Sequence, residues 1–193
     1  MNLQKLLVPF LIWRLKHVSD TNFTLIMAGF VGLLAGLASV TLKTTVHLIE
    51  HLLQNNIEVT GFDYLWVFYP LIGILLTVII SKFIIKESTG HGISKVLYAI
   101  SKRSSVIRKT RMYSNMLTSA ITVGFGGSVG LEAPIVVTGS AIGSNLARLV
   151  HLDYKKRTLL IGCGSAGAIS AIFNSPIAGV IFAVEVMLTD VTI

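Results

Sequence analysis

From Asn22 to Leu42 the chain runs without a charged side chain. At about 1.5 Å of rise per residue, a helix over that stretch matches a bilayer core of about 30 Å. No other feature restricts the fold as strongly. A second uncharged run extends from Tyr64 to Ser81. It opens with Tyr64, Trp66 and Tyr69, residues of the kind that sit at membrane–water boundaries, and is expected to return across the bilayer. Composition agrees: 53% of the 193 residues are hydrophobic and 13% charged, against about 25% charged in soluble domains. So apolar a chain cannot cover its surface in water as one globule, which excludes a soluble enzyme.

The charges that remain are sorted along the chain. Residues 50 to 63 hold Glu50, Glu58 and Asp63 with no Lys or Arg, whereas residues 82 to 111 hold eight basic residues against Glu87 alone. By the positive-inside rule the N-terminus and the 82–111 stretch are cytoplasmic, and an acidic loop faces outward. The net charge of +7 is read as this topological signal and not as a nucleic-acid footprint. Residues 1 to 21 form a separate interfacial segment. Within it Leu6, Leu7, Phe10, Leu11 and Trp13 with Lys5, Arg14 and Lys16 suit a short amphipathic helix on a lipid surface. No small-residue cleavage site marks it as a signal peptide. The single Cys163 forms no intrachain disulfide, and no His, Cys, Asp or Glu cluster has metal-ligand spacing. No metal and no cofactor is expected.

After Arg111 the apolar runs become interrupted. Met112 to Leu131 is uncharged, Glu132 follows, and Ala133 to Ala147 is again uncharged. That last run falls short of the roughly 20 residues a comfortable span needs. Thr158 to Val184 is uncharged throughout but contains Gly162, Gly164, Gly167 and Asn174-Ser175-Pro176. Both regions read as helices broken inside the membrane. Non-helical backbone survives there only where protein buries it or it lines a polar cavity, and broken helices build the ion sites of secondary transporters.

The segment Gly126-Gly127-Ser128-Val129-Gly130-Leu131-Glu132-Ala133-Pro134 concentrates this chemistry. Proline suits the first position of a helix, so a helix is expected to start at Pro134. The free amides of Ile135, Val136 and Val137, with the positive end of the helix dipole, would then bind an anion in a low-dielectric slab. Glu132 would compete for those amides when ionised and leave when protonated, exchanging one proton for one halide. The plainer alternative for Glu132 is a helix cap at a lipid headgroup. Against it stands the cost of a carboxylate deep in a bilayer, about 2.5–3.5 kcal/mol even on insertion scales.

These residues resemble the CLC family of chloride channels and proton-coupled chloride antiporters, in its N-terminal half. Gly130-Leu131-Glu132-Ala133-Pro134 is similar to the family's Gly-Arg-Glu-Gly-Pro, whose glutamate is the external gate and proton acceptor. Phe173-Asn174-Ser175-Pro176-Ile177-Ala178-Gly179-Val180-Ile181-Phe182 with Glu185 resembles a helix of the family's dimer interface, which implies that role for Asn174, Pro176, Ile177 and Ile181. Gly90-His91-Gly92-Ile93-Ser94 resembles Gly-Ser-Gly-Ile-Pro, whose serine contacts the anion from the cytoplasmic side. The likeness runs from about Leu25 to Glu185 and implies that Gly90, His91, Gly92, Ile93, Gly130 and Leu131 border the anion path. Departures are Leu131 for arginine, Ala133 for glycine, Ser94 for proline, and His91 for serine, an imidazole whose charge changes near neutral pH. Val186 stands where many antiporters carry a second glutamate, which leaves channel and antiporter both open.

Ile93, Val96, Leu97 and Ile100 recur at helical spacing and indicate a short helix after His91. The glycine pairs at 32–36 and 139–143 are read as helix packing. Two motifs are decoys. Gly126 to Gly130 satisfies the nucleophile-elbow pattern around Ser128, with His151 and Asp153 downstream. An intramembrane serine hydrolase using Ser128 with His91 is therefore the competing class. Gly162 to Gly167 satisfies Gly-x-Gly-x-x-Gly without a βαβ unit around it.

The expected architecture is all-α and polytopic: an integral membrane protein with tilted and re-entrant helices in residues 22–193, one half of an inverted-repeat CLC-type fold. The resemblance implies chloride or a similar small anion as ligand, with protons in the coupled members. It also implies a lipid bilayer around the fold and a homodimer with one pathway per subunit. A chain ending at Ile193 lacks the family's second half and is expected to be a fragment that does not conduct alone. A third possibility is a non-conducting piece that only packs and anchors a larger assembly.

Overall fold

The computed structural model describes residues 19–60, 68–85 and 92–188, which form seven α-helices and no strand among the described residues. Helix α1 spans Asp20–Thr60. It is the one described helix long and apolar enough to cross a membrane, over Asp20–Leu53. It runs much further than the uncharged stretch and takes in Glu50, so the outward acidic loop expected over residues 50 to 63 is instead helix through Thr60. Charge at Lys43 ends the apolar run, but no Gly or Pro lies between there and Gly61 to end the helix. His47 even pairs with Glu50 across one turn, 3.3 Å apart.

Helix α2, Tyr69–Ile79, carries Pro70 in its first turn, where a missing N–H costs nothing, and ends in a π-helical turn over Ile80–Ile85. Helix α3, Gly92–Lys102, is amphipathic, with Val96, Ala99 and Ile100 buried, as the spacing of Ile93, Val96, Leu97 and Ile100 predicts. A 3₁₀ turn over Lys109–Met112 leads to α4, Ser114–Gly124. Helices α5, Glu132–Leu149, and α6, Tyr154–Phe173, follow. Then come α7, Pro176–Phe182, and a π-helical turn over Ala183–Met187. The two expected breaks are present. One is the non-helical stretch from Phe125 to Leu131, where Gly126 has φ +87°. The other is Asn174, left-handed at φ 53°, ahead of Ser175-Pro176. Asparagine is among the few residues that tolerate this conformation.

Helix α5 lies at the centre, with every residue from Ile135 to Ser144 buried, as expected of a helix apolar or small on all sides. It packs antiparallel to α6. A Cβ on Gly139 would strike the Gly164 carbonyl, and one on Gly143 the Leu160 carbonyl. Helix α1 runs parallel to α6, with Gly167 seated against the backbone of Gly32 and the Ser39 hydroxyl donating to the Ala168 carbonyl at 2.9 Å. Lys156 and Asp20 pair where both helices begin. The glycine pair at 139–143 therefore acts in packing, whereas a Cβ on Gly32 would meet nothing and one on Gly36 only an ordinary contact with Ala171. Gly164 and Gly167 of the Gly-x-Gly-x-x-Gly decoy also act in packing, and lie inside α6 and not in a phosphate-cradling loop.

Candidate functional site

The stretch before α5 leaves Ser128, Val129 and Gly130 exposed, and the helix starts at Glu132 with Leu131 as its N-cap. The expected start at Pro134 is thus two residues late. Proline sits at the third helical position, which is equally free of penalty because none of the first N–H groups of a helix has an intrahelical acceptor. One consequence is a correction to the anion-binding amides. The Ile135 N–H donates to the Leu131 carbonyl at 3.2 Å, and Ile135, Val136 and Val137 are buried inside the first turns. The donors that helix geometry leaves over are those of Leu131, Glu132 and Ala133.

Glu132, the first residue of α5, is exposed. Its carboxylate folds back over Gly130, where any Cβ would overlap it. Leu131 is half-buried against the cluster that includes Leu42, Val46 and Ile135. Gly92, the first residue of α3, packs on Ala133: a Cβ there would come 3.2 Å from the alanine's own. Ile93 leans on the core with Val96 and Val137. Two motifs far apart in sequence therefore meet. The starts of α3 and α5, each the positive end of a helix dipole, lie side by side. Gly90 and His91 lie outside the described residues, as does the interfacial segment apart from residues 19–21.

Asn174, Pro176, Ile177 and Ile181 are all exposed, Ile177 at 75%. Pro176, Ile177, Val180 and Ile181 give α7 an exposed apolar face, which Val184 of the following turn extends. Ser128 has no catalytic partner in His151 or Asp153, which lie beyond the far end of α5, about 27 Å of helix away. Among the described residues no group of acidic, His and Cys side chains is placed to hold a metal ion. Spacing gave no hint of the buried network that fixes the turn after α3. There the Ser144 hydroxyl donates to the Ser105 carbonyl at 2.7 Å and accepts from the Ile107 N–H at 3.0 Å. Isolated serines carry no periodic signal.

An all-α fold with broken helices, one of them long and apolar enough to cross a membrane, suits a membrane protein. The family model for voltage gated chloride channels matches residues 72–193, and the chain belongs to this family, whose members are integral to the membrane. It is 29% identical over 173 residues to an H(+)/Cl(-) exchange transporter, ClcA, of Cronobacter sakazakii, covering 86% of this chain and 37% of that protein. To the ClcA of Salmonella arizonae it is 30% identical over 193 residues, covering 92% and 39%. To the chloride channel protein CLC-e of Arabidopsis thaliana it is 28% identical over 172 residues, covering 83% and 24%. The chain thus spans less than two-fifths of the length of these relatives. Both exchangers and a channel are named among them, and neither kind is an enzyme.

Proposed function

We propose that the chain supplies the N-terminal repeat of a protein that moves chloride across a membrane, as a channel or in exchange for protons, with Glu132 as the gate. The observation that supports this is the exposed Glu132 carboxylate at the start of α5, folded against Gly130 beside the start of α3. The amides of Leu131, Glu132 and Ala133 form the anion-binding end, and the ionised carboxylate competes with the halide for them. The Gly90–Ile93 segment lines the entrance on the cytoplasmic side, with the N-terminus on that side too. The apolar face of α7 serves a homodimer interface, Ile177 and Ile181 being its central residues.

A chloride efflux assay on the full-length protein in liposomes tests the gate. Glu132→Ala and Glu132→Gln are expected to change the rate and to remove most of its pH dependence, because neither side chain can carry the negative charge or the proton. Unchanged flux and pH response in both variants would remove Glu132 from the pathway.

A further inference from the structure

Helix α2 meets α4 and the break after it along one stripe. Pro70, Gly73 and Thr77 recur at i, i+3 and i+7, one face of a helix. A Cβ on Gly126 would lie 3.6 Å from Cγ of Pro70, and one on Gly73 would come 2.5 Å from Cβ of Phe125. The Thr77 hydroxyl lies 2.9 Å from that of Thr122 and 3.4 Å from the Thr118 carbonyl. Leu71, Ile74, Leu75, Val78 and Ile79 are exposed. Apolar burial does little to choose the position of such a helix, because lipid tails are as apolar as leucine. Close approach at glycine and hydrogen bonds between helices do more to fix it.

Thr122 joins this stripe to the Glu132 site. Its hydroxyl donates to the Thr118 carbonyl at 3.0 Å, which leaves its oxygen to accept the Thr77 proton. Its carbonyl accepts the Gly127 N–H at 2.9 Å, and the Gly127 carbonyl accepts the Val129 N–H at 2.9 Å. A Cβ on Gly127 would strike that same Thr122 carbonyl, at 2.6 Å, so the chain turns too tightly there for a side chain. The residue after Val129 is Gly130, over which the Glu132 carboxylate folds. At the end of α4, Gly124 is seated against Ile49 of α1, where a Cβ would come 2.7 Å from the isoleucine's own. Both α1 and α2 therefore hold the root of the break, and a run of hydrogen bonds leads from Thr77 to within one residue of the glycine under the carboxylate.

We propose that Thr77 is a positioning residue for Glu132: its hydrogen bond to Thr122 fixes residues 125–131 and with them the place of Gly130 beneath the carboxylate. The inference rests on Glu132 as the gate and adds α2 to the elements that set it. Residues 70–79, α4 and residues 125–131 carry no ionisable side chain. Beside the contacts that α1 and α3 make here, the chain carries His47, Glu50 and His51 near Ile49 and Lys95 near Gly92, and none of the variants below alters them. Loss of the Thr77 hydroxyl thus reaches the pH response through Glu132.

The test measures chloride efflux over a series of pH values from liposomes holding the full-length protein. Thr77→Val keeps the side chain's shape and removes the hydroxyl, and Thr122 still has its Thr118 acceptor, so no donor is stranded. A hydrogen bond between membrane helices is worth roughly threefold in an equilibrium. Thr77→Val is expected to move the efflux rate by up to roughly that factor toward the Glu132→Gln value and to flatten the pH response. Thr77→Ser, which restores a hydroxyl, is expected to return the wild-type profile, and Val78→Ala, on the exposed side of α2, to keep it. In a Glu132→Gln background Thr77→Val is expected to add nothing. A wild-type profile in Thr77→Val beside an altered one in Glu132→Gln would overturn this inference alone. It would also fall if Thr77→Val acted equally in both backgrounds, if serine gave no rescue, or if Val78→Ala had the same effect. An unaltered profile in Glu132→Gln would remove the gate itself, and this inference with it.

Discussion

Glu132 is a carboxylate in the first turn of α5, at the positive end of the helix dipole, next to the N-cap residue Leu131. Its counterpart is Gly130, whose missing Cβ makes room for the folded-back carboxylate. Since Gly130 does not occupy left-handed backbone, alanine fits the chain there and collides only with the flexible end of Glu132. Gly130→Ala is therefore expected to fold normally, push the carboxylate outward and give a chloride efflux rate and pH profile close to those of Glu132→Ala. A wild-type profile in Gly130→Ala would detach the glycine from the gate. The identities of these residues were legible in the sequence, because Gly, Pro and a lone acid in an uncharged run are each unusual. The two-residue offset of the helix start was not. Pro134 is compatible with any of the first helical positions, and only the Ile135 to Leu131 hydrogen bond shows which one it takes.

Among elements, the crossing of α5 with α6 sets the frame, because backbone approaches backbone at Gly139 and Gly164. Gly164→Ala forces a methyl into the Gly139 carbonyl and is expected to cost about 1–3 kcal/mol by overpacking, read as a lowered midpoint in thermal unfolding. Ser144→Ala leaves the Ser105 carbonyl and the Ile107 amide without their buried partner and is expected to cost about 1–3 kcal/mol, with the turn after α3 losing amide-exchange protection first. Repeated glycines announced the first contact in the sequence. The second depends on Ser105 and Ile107 meeting Ser144 from a distant part of the chain, which no local pattern encodes. The length of α1 escaped for a related reason: hydropathy marks where the apolar run ends, whereas helix breakers mark where the helix ends.

In the whole molecule, α3 and α5 begin side by side, so two positive helix ends share one place at Glu132. The outward apolar side chains of α1, among them Leu25, Phe30, Leu33 and Leu37, and the face of α7 suit lipid or further protein. The breaks at residues 125–131 and 174–175 interrupt the helical chain, a feature visible in sequence as glycine and proline inside uncharged runs. The central claim is that a small anion sits at the start of α5 in competition with the Glu132 carboxylate. Anomalous diffraction from bromide-soaked crystals of the full-length protein, wild type against Glu132→Gln, tests it most directly. A bromide peak beside the Leu131, Glu132 and Ala133 amides that strengthens in the variant is the predicted result, and a map with no peak there in either protein would contradict it.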